Sequence, residues 1–166
     1  MLKIARNMSQ LPFSQLKQVY EQSIMEAVQR DCPGKDDALL QAEMDLYDYL
    51  RNVFFKTGGA YCCLWEEAGM AVSVLRLEPY RDGILVTGLE TSPHLRGKGY
   101  ATKLLHASVA QLESNMPVYA HIHRSNRASA AVHIKCGFEI IANYSIFLDG
   151  STSTFYDTYA LNVVQD

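Results

Sequence analysis

The sequence is most informative at HLRGKGYA, residues 94–101, which reads His94-Leu95-Arg96-Gly97-Lys98-Gly99-Tyr100-Ala101. An apolar run at residues 84–89 precedes this stretch and indicates a buried strand. Residues 101–112, from its last residue onward, carry apolar side chains at helical spacing. The pattern therefore predicts a strand, a basic glycine-rich turn and a helix, in that order.

The glycine-rich turn has the composition of an anion site. The first N–H groups of a helix have no partner within the helix, and the helix dipole places partial positive charge there. Gly97 and Gly99 let a ligand approach the backbone, while Arg96 and Lys98 add full positive charge. These features favour a phosphate or pyrophosphate, although a tight turn can also use glycines for geometry alone. The turn does not match a P-loop, which needs Ser or Thr after Gly-Lys, because Gly99 follows Lys98 here. It does not match the dinucleotide-binding motif either, because Thr102 stands where that motif has its third Gly or Ala.

Length, charge and cysteine content predict one soluble domain over residues 1–166. The formal net charge of −3 gives no indication of nucleic-acid binding. We find neither an apolar signal core at the N-terminus nor the roughly 18 apolar residues of a membrane span. Neighbouring Cys62 and Cys63 on a strand would face opposite ways, which argues against a shared metal. We therefore expect a cytoplasmic protein with reduced thiols, no metal and no membrane contact.

Hydrophobic periodicity predicts an α/β fold with a mixed sheet, antiparallel at its ends and parallel in the middle. The strand at residues 118–123 should lie parallel to the strand at 84–89, because a helix connects them. The last two strands should pair as a hairpin. Strands are predicted at 2–6, 60–65, 70–78, 84–89, 118–123, 138–147 and 154–163, and further helices at 14–29, 36–56 and 125–137.

Two separated motifs resemble those of the GNAT superfamily of acetyl-CoA-dependent N-acetyltransferases. The first motif, Gln/Arg-x-x-Gly-x-Gly/Ala at a strand-to-helix turn, corresponds to His94 through Gly99. The second is an Asn that opens a short helix ending in Gly-Phe, and it corresponds to Asn126 through Phe138. The predicted element order also matches the family fold, a central mixed sheet with helices on both faces.

The resemblance implies that acetyl-CoA is the cosubstrate and that no metal is needed. The pyrophosphate would lie on the N–H groups of Gly97 to Ala101, and the pantetheine arm would pair with Leu89 to Thr91 as an added strand. Asn126 would contact the cofactor through its amide, or would serve only as a helix N-cap. The implied cofactor-binding residues are Leu89, Thr91, Arg96, Gly97, Lys98, Gly99, Tyr100, Ala101 and Asn126.

Catalytic roles follow less directly, because the sequence departs from the family pattern at two positions. His94 stands in the Gln/Arg slot, and His133 stands where many relatives carry a Tyr that protonates the leaving thiolate. His133 is therefore either a replacement acid or a helix histidine without a chemical role. Glu90 and His121 rank first as general bases because they lie near the ends of the central strands, and His123 is a third candidate.

Two functions remain open from the sequence. One is N-acetyl transfer to a primary amine, on a small molecule or on a peptide or protein, by a monomer or homodimer. The other is an acyl-CoA-binding sensor or interaction module without turnover. The acceptor pocket should lie between the helices at 14–29 and 36–56 and the final hairpin loop. Its acidic side chains would favour a cationic amine, and the residues predicted there are Glu43, Asp45, Tyr47, Asp48 and Asp149.

Overall fold

A computed structural model describes residues 1–113 and 115–162. The strands are β1 (Leu2–Ala5), β2 (Tyr61–Glu67), β3 (Met70–Tyr80), β4 (Gly83–Thr91), β5 (Val118–His123), β6 (Glu139–Ala142), β7 (Ser145–Ile146), β8 (Thr152–Ser153) and β9 (Tyr156–Leu161). The helices are α1 (Phe13–Val19), α2 (Glu21–Asp31), α3 (Ala38–Asn52), α4 (Tyr100–Val109) and α5 (Arg127–Lys135). Short 3-10 turns occupy Met8–Gln10, Phe54–Lys56 and Pro93–Leu95.

Seven strands form one mixed sheet in the order β1-β2-β3-β4-β5-β9-β6. Strands β4 and β5 pair in parallel, whereas the other neighbours in this sheet pair antiparallel. The predicted mixed sheet with a parallel centre is therefore confirmed, as is the pairing of β6 with β9. Strands β7 and β8 form a separate two-stranded sheet beside it.

The two faces of the sheet carry different helices and separate cores. One core contains residues of α1, α2 and α3 packed on β2 and β3, and the other contains residues of α4 with β5 and Phe138. Cys62 lies in the first core and Cys63 in the second, as their adjacent positions predict. Burial raises the pKa of Cys62 to about 12, so this thiol is an inert core side chain.

Two predicted elements are interrupted in the structure. The predicted helix at 14–29 divides into α1 and α2 at Tyr20, whose backbone leaves helical geometry at φ −87° and ψ 13°. The Tyr20 hydroxyl donates a 2.8 Å hydrogen bond to the carbonyl of Gly88 on β4. The predicted strand at 138–147 divides into β6 and β7, because the Asn143 and Tyr144 carbonyls accept side-chain hydrogen bonds from Arg124 and Thr158.

The helix predicted at 36–56 ends earlier than expected, at Asn52, and a 3-10 turn follows it. The predicted end of the last strand at Val163 lies outside the described residues. No helix in the described part of the chain is both long and apolar enough to cross a bilayer. Within residues 1–113 and 115–162, no three His, Cys, Asp or Glu side chains are grouped as metal ligands.

Candidate active site

The central cleft opens where β4 and β5 separate. These strands pair only from Ile84 to Val86 with Val118 to Ala120, whereas β4 continues to Thr91 against β3 alone. The β5-facing edge of β4 beyond Val86 is therefore left without a strand beside it in the described chain. The resulting cleft has a volume of about 1100 Å³, which is large for a small-molecule site. It lies at the carboxyl ends of parallel strands, where α/β sheets commonly bind ligands.

A β-bulge at Gly88 controls which way the end of β4 faces. Gly88 has φ +56°, and the register against β3 shifts at this level. A Cβ atom here would lie 2.8 Å from guanidinium nitrogens of Arg76 and from the Tyr20 hydroxyl, so only glycine fits. Beyond the bulge Leu89 packs into the α4-side core, and Glu90 turns to α2. Without the extra residue, Glu90 would face the opposite side of the sheet.

The glycine turn forms one end of the cleft with its backbone exposed. Gly97 and Gly99 have φ values of +77° and +80°, a region that residues with a Cβ rarely adopt. A Cβ built on either glycine meets no described atom within 4 Å, so the space in front of this backbone is open. Gly99 is the N-cap of α4 and offers no side chain to its first-turn N–H groups. The turn therefore presents free N–H groups to a ligand.

Most of the predicted cofactor-binding residues line this one cleft. Arg96 is held at its mouth, because Nε donates a 3.2 Å hydrogen bond to the Thr91 carbonyl and Nη1 donates to Oε1 of Gln22. Lys98 is exposed and is not among the cleft-lining residues, so its role in anion binding stays a prediction. The predicted residues that line the cleft are Leu89, Thr91, Arg96, Gly97, Gly99, Tyr100, Ala101 and Asn126.

Asn126 has the capping role that was its simpler interpretation. Its Oδ1 accepts a 3.1 Å hydrogen bond from the backbone N–H of Ser129 in the first turn of α5. The residue also lines the cleft. The cap uses Oδ1, so contact with a ligand would fall to the amide nitrogen, and this contact stays a prediction.

Glu90 reaches the cleft from the side of α1–α3. Ser23 on α2 donates a hydrogen bond from Oγ to Oε1 of Glu90, which fixes the carboxylate at the end of β4. Burial raises the pKa of Glu90 above its usual value, although the bond from Ser23 and the charge of Arg96 oppose this shift. A carboxylate with a raised pKa is a stronger base than an ordinary one, so Glu90 suits proton removal near neutral pH.

His121 on β5 also reaches the cleft and sits among aromatic rings. Its ring packs edge-to-face on Tyr80 at 5.2 Å and on Phe147 at 5.5 Å between centroids. Its Nε2 is buried and has no hydrogen-bond partner among the described residues. Burial lowers the pKa of His121, and the nearby charge of Arg81 lowers it further. His121 is therefore neutral at pH 7 and is available as a proton acceptor.

His133 on α5 is almost fully buried, with 2% of its surface exposed, and it lines the cleft. Its Nδ1 lies 2.8 Å from the Ser129 carbonyl, which can only accept, so Nδ1 carries the hydrogen. Nε2 then holds a lone pair, and it has no partner in the described part of the chain. Burial lowers the pKa of His133, so the neutral form predominates at pH 7. This ring must gain a proton before Nε2 can donate one.

The three candidate groups enter the cleft from opposite faces of the sheet. Glu90 contacts α2, and His121 packs on the ring of Tyr80, outside the α4-side core. His133 belongs to α5 and packs edge-to-face at 5.1 Å on Phe138, a residue of that core. The cleft thus passes through the gap in the sheet. His123 is not among its lining residues, because its ring stacks on Phe155 and its Nδ1 lies 2.7 Å from the Ser125 hydroxyl.

The acceptor side of the cleft differs from the prediction. Of the acidic residues expected there, Asp149 lines the cleft, but Glu43, Asp45 and Asp48 do not. Glu43 pairs with Lys17 at 3.0 Å, and Gln41 bonds Asp45, both on other surfaces of the helices. Glu43, Tyr47 and Asp48 instead line a separate groove of about 340 Å³.

Two of the three predicted walls are confirmed, because α2, within the helix predicted at 14–29, and the final hairpin loop both line the cleft. No local motif marked which of their residues would face the cleft, since these residues meet the site only through tertiary contacts. The cleft-lining residues missed from the sequence include Gln22, Ser23, Glu26, Phe147, Leu148 and Tyr156.

The mixed sheet with helices on both faces matches the fold of solved acetyltransferase structures. The chain belongs to the GNAT acetyltransferase family, whose sequence model matches residues 21–138. Members of this family use acetyl-CoA as the acetyl donor. No curated protein sequence matches the chain.

Solved structures share this fold over nearly their whole length. An N-acetyltransferase from Staphylococcus aureus Mu50 is 18% identical, with a TM-score of 0.64 and coverage of 97% of this chain and 96% of that one. The PaiA N-acetyltransferase from Thermoplasma acidophilum, solved with coenzyme A, is 11% identical, with a TM-score of 0.63 and coverage of 96% and 98%. A histone acetyltransferase HPA2-related protein from Corynebacterium glutamicum is 14% identical, with a TM-score of 0.68 and coverage of 96% and 94%. At these identities the likeness concerns the fold.

Proposed function

We propose that the protein is an N-acetyltransferase that transfers the acetyl group of acetyl-CoA directly to a primary amine. One observation carries this proposal. Two proton acceptors, Glu90 and His121, line the same cleft as His133, whose Nε2 has no partner among the described residues, and they enter it from opposite faces of the sheet. Family membership alone gives the donor, whereas this arrangement supports turnover on an amine.

The residues present fit acetyl-CoA. The open N–H groups at Gly97 and Gly99 suit a diphosphate, and the free edge of β4 from Leu89 to Thr91 suits an amide-containing arm. Bound acetyl-CoA would supply a thioester whose carbonyl carbon an amine can attack. The positioning of both reactants in one cleft would itself lower the barrier substantially.

Glu90 removes the first proton. A lysine-like amine has a pKa near 10.4, so exposing its lone pair at pH 7 costs about 4–5 kcal/mol. Glu90 is held by Ser23 at the acceptor side of the gap and has a raised pKa, so it takes this proton and passes it to water. His121 is the second candidate for this role, because it is neutral and its Nε2 faces no other described partner.

His133 handles the second proton. The attacking nitrogen must lose another proton as the amide forms, and the sulfur must gain one as it leaves. Neutral His133 can accept the first of these at Nε2 and return it to the sulfur, while Nδ1–H stays bonded to the Ser129 carbonyl. A thiol of pKa about 8.5 needs only about 2 kcal/mol of such help at pH 7, so this role is modest.

Release of free coenzyme A thiol tests the proposal. With acetyl-CoA and a panel of primary amines, we expect amine-dependent thiol release well above the rate in buffer alone. Glu90→Gln should lower kcat by up to about 10³-fold, the factor that corresponds to the amine deprotonation cost, with coenzyme A affinity unchanged.

Glu139→Gln is the matched control, because Glu139 is exposed on β6 and is not a cleft residue. This variant should behave as the wild type. Tight coenzyme A binding with no acceleration by any amine would refute the enzyme and favour an acyl-CoA sensor or interaction module.

A further inference from the structure

We propose that the acceptor is a small aliphatic amine that carries a second positive charge, as a diamine does. In this arrangement Glu90 receives the reacting amine, and Glu26 and Asp149 hold the distal ammonium. The inference rests on the proposed function and specifies its substrate class.

The acceptor side of the cleft carries unbalanced negative charge. Glu26, Glu90 and Asp149 line the cleft, and none of them forms an ion pair within the described part of the chain. Glu26 accepts a 2.8 Å hydrogen bond from the neutral side chain of Gln22. Arg96, the positively charged residue of the lining, is engaged at the cofactor end by Thr91 and Gln22.

Glu26 and Glu90 lie near each other in the cleft, and Asp149 is held by hydrogen bonds within its own turn. Burial raises the pKa of Glu90, and the neighbouring charge of Glu26 raises it further, so these two groups are close enough to repel. Hydrogen bonds from Ser151 hold the pKa of Asp149 below its usual value, which keeps this carboxylate ionised at pH 7. The carboxyl groups of Glu26 and Asp149 therefore remain for a second contact after Glu90 is assigned to the reacting amine.

An apolar surface lies among these charges. Phe147 and Tyr156 line the cleft and pack edge-to-face with centroids 5.3 Å apart, and Leu148 beside them is 54% exposed. Methylene groups pack well on such a surface, and an aromatic face also attracts an ammonium. The lining thus suits an alkyl chain with a cation at each end better than a polar or anionic acceptor.

A simple monoamine would leave the charge of Glu26 and Asp149 uncompensated. Both side chains are exposed, so they stay hydrated beside a monoamine, which gains nothing from their charge, whereas a second ammonium gains their attraction. The second ammonium should therefore raise kcat/KM rather than merely be tolerated. Because the attraction is electrostatic, the advantage should shrink as the salt concentration rises.

The test compares 1,5-diaminopentane with pentylamine, which has the same chain length and one ammonium fewer. We expect kcat/KM to be at least about tenfold higher for the diamine at low salt, which corresponds to one well-placed charge pair. The double variant Glu26→Gln/Asp149→Asn should bring this ratio close to one. The matched control is Asp45→Asn/Asp48→Asn, two acidic residues of α3 outside the cleft, and it should keep the wild-type ratio.

The outcomes separate this inference from the function on which it rests. Equal kcat/KM for the two amines, or an undiminished ratio in the Glu26/Asp149 variant, would overturn the second-charge proposal while leaving the transferase intact. Activity on neither amine nor on any other would overturn the proposed function instead. A blocked peptide with lysine beside arginine serves as a third acceptor. If it exceeds the diamine in kcat/KM, the acceptor is a basic peptide and not a small diamine.

Discussion

The proposed cofactor end and the proposed acceptor end of the cleft are formed by different kinds of groups. Residues 96–101 form the cofactor end as one continuous segment whose main contribution is backbone N–H groups. The acceptor end collects side chains from α2, the ends of β4 and β5, and the turn at residues 147–149. A backbone site is fixed by local geometry, whereas a side-chain site can change by single substitutions without disturbing the fold. The donor can therefore stay constant while the acceptor differs between relatives of this fold.

We expect the largest effect from a substitution in the glycine turn, and we expect it on coenzyme A affinity. Gly97→Leu would place a side chain in the open space before the N–H groups, and loss of one or two hydrogen bonds to a charged group costs about 100-fold in affinity. Isothermal titration calorimetry with coenzyme A measures this loss.

Gly34→Leu is the control for backbone strain, because Gly34 has a similar φ of +75° and equally open surroundings but lies outside the cleft. We expect its coenzyme A affinity to match the wild type. An equal loss in both variants would assign the effect to strain and not to a diphosphate site.

An intermediate effect is expected at His133, which lies at the boundary between the two ends. His133→Gln removes the proton relay, and kcat should fall by no more than about 30-fold, the factor set by the thiol pKa. His133→Tyr places at this position the side chain that many relatives carry there, and it should recover part of the lost rate. A drop in coenzyme A affinity with unchanged kcat would show that His133 is a packing residue only.

The smallest effect should come from Ser23, on the acceptor side. The hydrogen bond from Ser23 stabilises the charged form of Glu90 and so lowers its pKa. Ser23→Ala should therefore raise this pKa and move the acid limb of the kcat profile to higher pH. We expect about a threefold loss of rate on that limb and an unchanged plateau above it. A uniform loss at all pH values would contradict the role of Glu90 as the titrating base.

The same contrast explains what could be predicted from the sequence. The glycine turn, the strand before it and the helix after it are contiguous, so residues 84–112 contained the information for the cofactor end. The parallel pairing of β4 and β5 followed from the connecting helix. By contrast, the break at Tyr20 depends on a hydrogen bond to Gly88, which is 68 residues away. Local periodicity carries no record of such a contact.

The acceptor wall was predicted only in part, for a similar reason: the helix at 14–29 and the final hairpin loop border the cleft as expected, but the acidic residues of α3 do not. Acidic residues of α2 and α3 look alike in the sequence, and only packing decides which helix borders the cleft. The bulge at Gly88 is a further case, because one extra residue reverses the face of Glu90. The spacing of apolar residues predicted that each helix buries one face, but it did not indicate which strand that face packs against. The tautomer of His133 could not be predicted from the sequence either, because it depends on the Ser129 carbonyl, which places the ring proton on Nδ1.

The gap between β4 and β5 begins where these two strands stop pairing, and the residues at their paired end lie in close contact. Pro117 lies very close to Gly83, because a Cβ atom added to Gly83 would lie 2.0 Å from the Pro117 carbonyl oxygen. The same oxygen accepts a 3.0 Å hydrogen bond from the backbone N–H of Ile84. This close contact joins β4 to the residue before β5 at the end of the gap where the two strands are paired. The fold itself therefore provides the gap beyond Val86, and a ligand need not separate paired strands in order to enter it.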